Sequence, residues 1–206
     1  SSTGNNNIAL GYQTLYCNTI GSNNIAQGYK SLCLNTTGAY NIGIGYGTLK
    51  SNTTGCHNIA IGCGALQTAA ASIHNIGIGY GALPSGNSCY NIGIGFCALN
   101  TNSNGNLNVA IGYNALCANT TGTNNVAIGC AAMFVNTNGS NNLAIGYGAL
   151  CSTYFNSNNF AAGRGALSTV QCSNNFAQGY QAMHCGYYAC NNFASGYQAL
   201  YLSIYA

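Results

Sequence analysis

Side chains able to do chemistry are few in this sequence and unevenly chosen. The 206 residues include twelve cysteines and three histidines but no aspartate or glutamate, and fixed charge is confined to Lys30, Lys50 and Arg164. Acid–base catalysis needs a carboxylate or a poised histidine within reach of a substrate proton. The carboxylate pair of a glycosidase cannot be built here, and a Ser-His-Asp triad lacks its acid. A Cys-His pair exists on paper, but no motif positions one. Cys56, His57 and Cys63 lie close in sequence, as do His184, Cys185 and Cys190, yet neither group has the paired C-x-x-C spacing of a zinc site. Calcium-type sites lack their carboxylate ligands. The expectation is a protein that is not an enzyme and needs no cofactor or metal.

The other chemical suggestion is the glycine-rich stretch NIGIGYGAL at 75–83, which superficially resembles a phosphate-binding loop. A phosphate loop occurs once, between a strand and a helix. This phrase recurs along the whole chain, with its leading asparagine at Asn7, Asn24, Asn41, Asn58, Asn75, Asn91, Asn108, Asn125, Asn142, Asn159, Asn175 and Asn192. The spacing is 17 residues, with two gaps of 16, at Asn75 to Asn91 and Asn159 to Asn175. A fixed period of this size marks a repeat architecture. The twelve copies fill residues 1–206 as a single repeat domain, read as a segment of a longer or polymerised fibre.

Numbering the phrase from its asparagine, position 2 is always large and apolar: Ile8, Ile25, Ile42, Ile59, Ile76, Ile92, Val109, Val126, Leu143, Phe160, Phe176 and Phe193. Position 3 is Ala or Gly, and position 4 is mostly aliphatic. This period-two alternation predicts a short strand with one buried face, whose position-2 residues form a core ladder. Position 5 is always glycine: Gly11, Gly28, Gly45, Gly62, Gly79, Gly95, Gly112, Gly129, Gly146, Gly163, Gly179 and Gly196. Glycine directly after a strand implies a corner with positive φ or a close backbone approach. Position 9 is Leu or Met throughout, and polar turns such as NTTG at 35–38, 52–55 and 119–122 follow it.

One such unit cannot bury its own apolar residues, whereas stacked units can. The predicted fold is therefore all-β: a parallel β-solenoid of about twelve coils of 16–17 residues, each a strand, a glycine corner and a turn. Stacked asparagine amides are expected to bond coil to coil. The scarcity of charge has the same origin. An ionised side chain would face its copies at about 4.8 Å, at a cost of about 0.9 kcal/mol per contact even in water. The small net charge of +3 argues against a nucleic-acid partner, and no apolar run is long enough for a membrane-spanning helix.

An even number of cysteines favours an oxidising, extracellular setting. In register, Cys17 and Cys33 fall one position apart on adjacent coils, as do Cys172 and Cys190; both pairs are candidate disulfides. Cys63, Cys97 and Cys130 fall on every second coil. Two coils span about 9–10 Å, beyond disulfide reach of about 7 Å between Cα atoms, so these three are candidates for burial or for interchain bonds. Glycosylation sequons occur at Asn35, Asn52, Asn119 and Asn138, all in turns expected to face outward.

The phrases NVAIG at 125–129 and NLAIGYGAL at 142–150 resemble the head repeats of YadA-like trimeric autotransporter adhesins. They are also similar to the N-x-A-I-G-Y-x-A-L … N-T-T-G repeats of fibre proteins from phages, giant viruses and bacterial surfaces. The resemblance implies a parallel β-roll that associates as trimers. This sequence has a longer period than the adhesin heads, no heptad stalk and twelve cysteines. The function expected is that of a structural subunit of an extracellular fibre on a cell or virion surface, with coils stacking end to end, partly locked by disulfides. The alternative is an adhesin head or tail-fibre shaft that binds glycans or cell surfaces as a trimer. The partners are copies of the chain itself and, on the second reading, glycans.

Overall fold

The computed structural model describes residues 3–84, 86–152, 154–185 and 190–202. Twelve three-residue strands follow in chain order: β1 (Ile8–Leu10), β2 (Ile25–Gln27), β3 (Ile42–Ile44), β4 (Ile59–Ile61), β5 (Ile76–Ile78), β6 (Ile92–Ile94), β7 (Val109–Ile111), β8 (Val126–Ile128), β9 (Leu143–Ile145), β10 (Phe160–Ala162), β11 (Phe176–Gln178) and β12 (Phe193–Ser195). They form one parallel sheet in which each strand pairs with its sequence neighbours. Ile59 pairs with Ile76, Ala60 with Gly77 and Ile61 with Ile78, and the same register holds across the two 16-residue coils. The fold is a β-solenoid.

The side of the strand that faces inward is the reverse of the sequence expectation. Position 3 is buried, while positions 2 and 4 point outward and are half-buried or exposed. Ile8 is 58% exposed and Phe193 70%. The columns Ile8, Ile25, Ile42, Ile59, Ile76, Ile92, Val109, Val126, Leu143, Phe160, Phe176 and Phe193 do stack in register, but they are not the core. The core consists of the small residue at position 3, the small residue at position 8 and the Leu or Met at position 9, as in Ala60, Ala65 and Leu66.

The depth of the interior explains the reversal. Position 9 projects into the coil from the side opposite the strand and fills it. A Cβ added at Gly77 would lie 3.3 Å from Leu66 Cγ, and one at Gly93 would lie 3.3 Å from Leu83 Cδ1. An interior one side chain deep admits Ala or Gly beneath the leucine and nothing larger.

This thin core is reached through strained backbone. Every position-9 residue is left-handed, with φ between 47 and 53°. That conformation costs a leucine about 1–2 kcal/mol, against about 1.5–3 kcal/mol gained by full burial of the side chain. Position 5 glycines turn the corner with φ of 116–137°. Gly112 shows why no other residue serves: its Cβ would sit 2.5 Å from Gly129 O in the next coil.

Polar groups inside the coil are bonded in columns. Asn58 N and Nδ2 donate to Asn41 Oδ1 at 3.0 and 3.1 Å, and Asn58 Nδ2 also donates to Ser72 O at 2.7 Å. A second asparagine ladder, not anticipated from sequence, runs through position 12. Asn35 Nδ2 donates to Asn18 Oδ1 at 2.8 Å and Asn52 Nδ2 to Asn35 Oδ1 at 2.7 Å. Together with a backbone carbonyl of the next coil, 2.4 Å from a Cβ at Gly38 and 2.3 Å from one at Gly55, it accounts for the glycine of each NTTG turn. A Cβ at Gly38 would lie 2.4 Å from Asn35 Oδ1, and one at Gly55 would lie 2.3 Å from Asn52 Oδ1. In the next coil the ladder stops at Ala69, and the turn residue there is Ser72 rather than glycine. Asn52 Oδ1, which an asparagine at 69 would have donated to, is left buried without a partner, as is Ser72 Oγ.

Candidate interaction surfaces

Three surfaces follow from this coil. The first is the outer face of the sheet. From β3 to β9, positions 2 and 4 are Ile, Val or Leu in every strand, forming a strip two side chains wide. Over all twelve coils the sheet is about 50 Å long, at about 4.8 Å per coil. From β10 onward position 4 becomes Ala162, Gln178 and Ser195, and the apolar strip narrows to the stacked rings of Phe160, Phe176 and Phe193, with centroids 4.4 and 4.8 Å apart.

The second surface is a ladder of rings at position 6, just past the glycine corner. Tyr12, Tyr29 and Tyr46 stack at 5.5 and 5.0 Å, and Tyr80, Phe96 and Tyr113 at 5.3 and 5.2 Å. Cys63 and Cys130 interrupt it. At Cys63 the missing ring leaves a cleft of about 350 Å³, bounded by Tyr46, Tyr80, Gln67, Pro84 and Asn100. The third interruption is Arg164, whose guanidinium carbon lies 5.5 Å from the Tyr147 centroid and 5.8 Å from that of Tyr180. Beside Arg164 lies a second cleft, of about 220 Å³. In sequence, Arg164 is marked out only as the one cation in a column that otherwise carries Tyr, Phe or Cys.

The third surface is the residue just before each leading asparagine. Its φ is positive in all twelve coils, between 56 and 64°, and asparagine, which tolerates this conformation, occupies seven of them. In four successive coils the position carries a ring instead: Tyr40, His57, His74 and Tyr90 stack at 4.9, 4.9 and 5.1 Å. His57 and His74 thus belong to an aromatic stack. Among the described residues no three His or Cys side chains converge on a metal position. His184 packs against Tyr201, with centroids 5.4 Å apart.

The cysteines divide by environment. Cys172 and Cys190 form a disulfide, with Cα atoms 5.1 Å apart. Cys17 and Cys33, the other expected pair, are separate thiols: Cys33 is turned into the coil while Cys17 is half-buried, and only their backbones meet, Cys17 N donating to Cys33 O at 3.0 Å. Of the three interchain candidates, Cys63 is exposed, whereas Cys97 and Cys130 are half-buried. Burial pushes the thiols of Cys117 and Cys151 above the ordinary cysteine pKa, and their neighbours Cys97 and Cys130 reinforce the shift.

The glycosylation sites need correction. Asn35, Asn52 and Asn119 are completely buried rungs of the position-12 ladder, and Asn119 Nδ2 is bonded to Asn102 Oδ1 at 2.7 Å. A folded coil cannot present these amides to a transferase. Asn138 alone is exposed, its Oδ1 accepting from the Thr120 and Thr121 hydroxyls at 2.9 Å each. Comparison with family models, with curated proteins and with solved structures returns no match to this chain.

Proposed function

We propose that the protein is a structural subunit of an extracellular fibre, and that copies of it pack side by side through the outer face of the sheet. The observation that carries this reading is the outward strip of Ile, Val and Leu at positions 2 and 4. A continuous apolar strip of this length is characteristic of a protein–protein interface. The strip is in register from coil to coil, so an identical strip on a second copy presents the same spacing of side chains. Side-by-side packing is also the arrangement implied by the resemblance to trimeric adhesin heads. Growth along the axis would repeat, at the outer edges of β1 and β12, the register that joins the coils within the chain. The Cys172–Cys190 disulfide fits an oxidising compartment, and exposed Cys63 is the thiol placed to bond another copy.

The test is sedimentation of the purified chain under reducing conditions, alongside an I94E/I128E variant. Both side chains point outward, so their replacement spares the core. The wild type is expected to self-associate, and the variant to remain a folded monomer by circular dichroism. A wild type that stays monomeric at high concentration, with or without reductant, refutes the proposal.

A further inference from the structure

We propose that the cleft beside Arg164 binds the carboxylate of an acidic sugar. This site is independent of the sheet face invoked for assembly. The cleft is walled by Tyr147, Cys151, Arg164, Ser168, Gln181 and His184, with Gly148 and Gly165 at its base.

Arg164 is the only cation in the position-6 column, where most coils carry a ring. Tyr147 and Tyr180 lie on either side of its guanidinium, at 5.5 and 5.8 Å, which orients the group before any ligand arrives. With its faces taken up by the rings, its N–H edge remains as a rigid donor fork matched to a carboxylate. The sequence contains no Asp or Glu to neutralise it. A compensating anion must therefore come from solvent or from a ligand.

The rest of the cleft suits hydroxyl groups. Gln198 Nε2 donates to Gln181 Oε1 at 3.1 Å, which leaves the Gln181 amide hydrogens for donation. His184 Nδ1 bonds Gly165 O at 3.0 Å. A carbonyl only accepts, so Nδ1 carries a hydrogen, and Nε2 is the ring nitrogen left for a ligand hydroxyl. The Ser168 hydroxyl can play either role. One cation with alternating donors and acceptors matches a polyhydroxy ring bearing a single carboxylate. The volume of about 220 Å³ is below that of drug-sized sites and fits one sugar residue.

The glycines keep the cleft open. Gly148 and Gly165 are left-handed, with φ of 61 and 67°. A Cβ at Gly165 would lie 3.3 Å from Gln181 Cγ and 3.5 Å from His184 Nδ1, encroaching on the walls. The larger cleft at Cys63 has a similar shape but no cation in its lining, so no reason to prefer an acid.

The experiment is an equilibrium titration of the whole chain with glucuronate, glucose and acetate at low ionic strength, read by calorimetry. Glucuronate is expected to bind about tenfold more tightly than either glucose or acetate, because the charge-assisted bond and the hydroxyl contacts are both needed. The R164Y variant restores the ring that the column carries elsewhere, so it should fold normally while losing that tenfold preference. R164K should keep part of it. Equal affinity for glucose and glucuronate, or an R164Y variant that binds glucuronate as the wild type does, overturns the proposal. Acetate binding as tightly as glucuronate overturns the sugar assignment, since the cleft would then read only an anion.

Discussion

The break in the position-12 asparagine ladder at Ala69 yields a non-additive prediction. Two buried polar atoms on either side of the break lack partners, Asn52 Oδ1 and Ser72 Oγ. An asparagine at 69 would donate to Asn52 Oδ1, as Asn52 Nδ2 does to Asn35 Oδ1 at 2.7 Å. By itself, however, A69N meets an obstacle. In intact NTTG turns the asparagine Oδ1 lies 2.3–2.4 Å from where a Cβ would stand on the turn glycine, as at Gly38 and Gly55. Ser72 has that Cβ. The clash is worth about 1–3 kcal/mol and cancels the new hydrogen bond, so A69N alone is expected to be neutral or destabilising. S72G alone removes the orphaned hydroxyl but adds backbone entropy to the unfolded chain, for a net change within about 1 kcal/mol. The double variant A69N/S72G rebuilds the rung, gives Asn52 Oδ1 its donor and removes the Ser72 hydroxyl, while the unpaired acceptor moves to residue 69, beyond which the next coil supplies no asparagine rung. It should be up to about 1 kcal/mol more stable than the wild type after the cost of ordering the new side chain. The assay is a double-mutant cycle by urea denaturation followed by circular dichroism. A coupling energy of about 2 kcal/mol or more is expected. Additivity within about 0.5 kcal/mol, or a double variant less stable than the wild type, would refute the account of why asparagine and glycine occur together.

Two further outcomes are expected. Ala131 is held at φ 54°, in a column where five other coils carry left-handed glycine. The A131G variant should therefore stabilise the fold by about 0.5–1 kcal/mol, the opposite of the usual effect of that change, measured as a shift in thermal midpoint. The raised thiol pKa values of Cys117 and Cys151 make thiolate scarce at mildly alkaline pH. Iodoacetamide should label both more slowly than exposed Cys63, and their rates should keep rising with pH above the range of a free cysteine; mass-spectrometric mapping of the alkylated peptides measures this.

The spacing of the asparagines was enough to read the solenoid, because a repeat that places Asn58 above Asn41 must place Ile59 above Ile42 as well. The glycine corners were legible for a similar reason: position 5 tolerates one residue type, and Gly112 shows the carbonyl that excludes any other. The sequons misled because Asn-Thr-Thr-Gly reads as turn chemistry, whereas the same asparagine serves as a buried rung. Local sequence does not reveal whether a turn amide bonds to the next coil or to water.

The chain sequence by itself determined the period, the register, the corners and the two faces of each strand, since all of these depend on spacing along one dimension. Which face points inward was decided only in three dimensions. Alternation at Ile76, Gly77 and Ile78 distinguishes large from small but does not say what lies opposite. Leu66, reaching across from the far side of a coil one side chain deep, leaves room for glycine and turns the isoleucines outward.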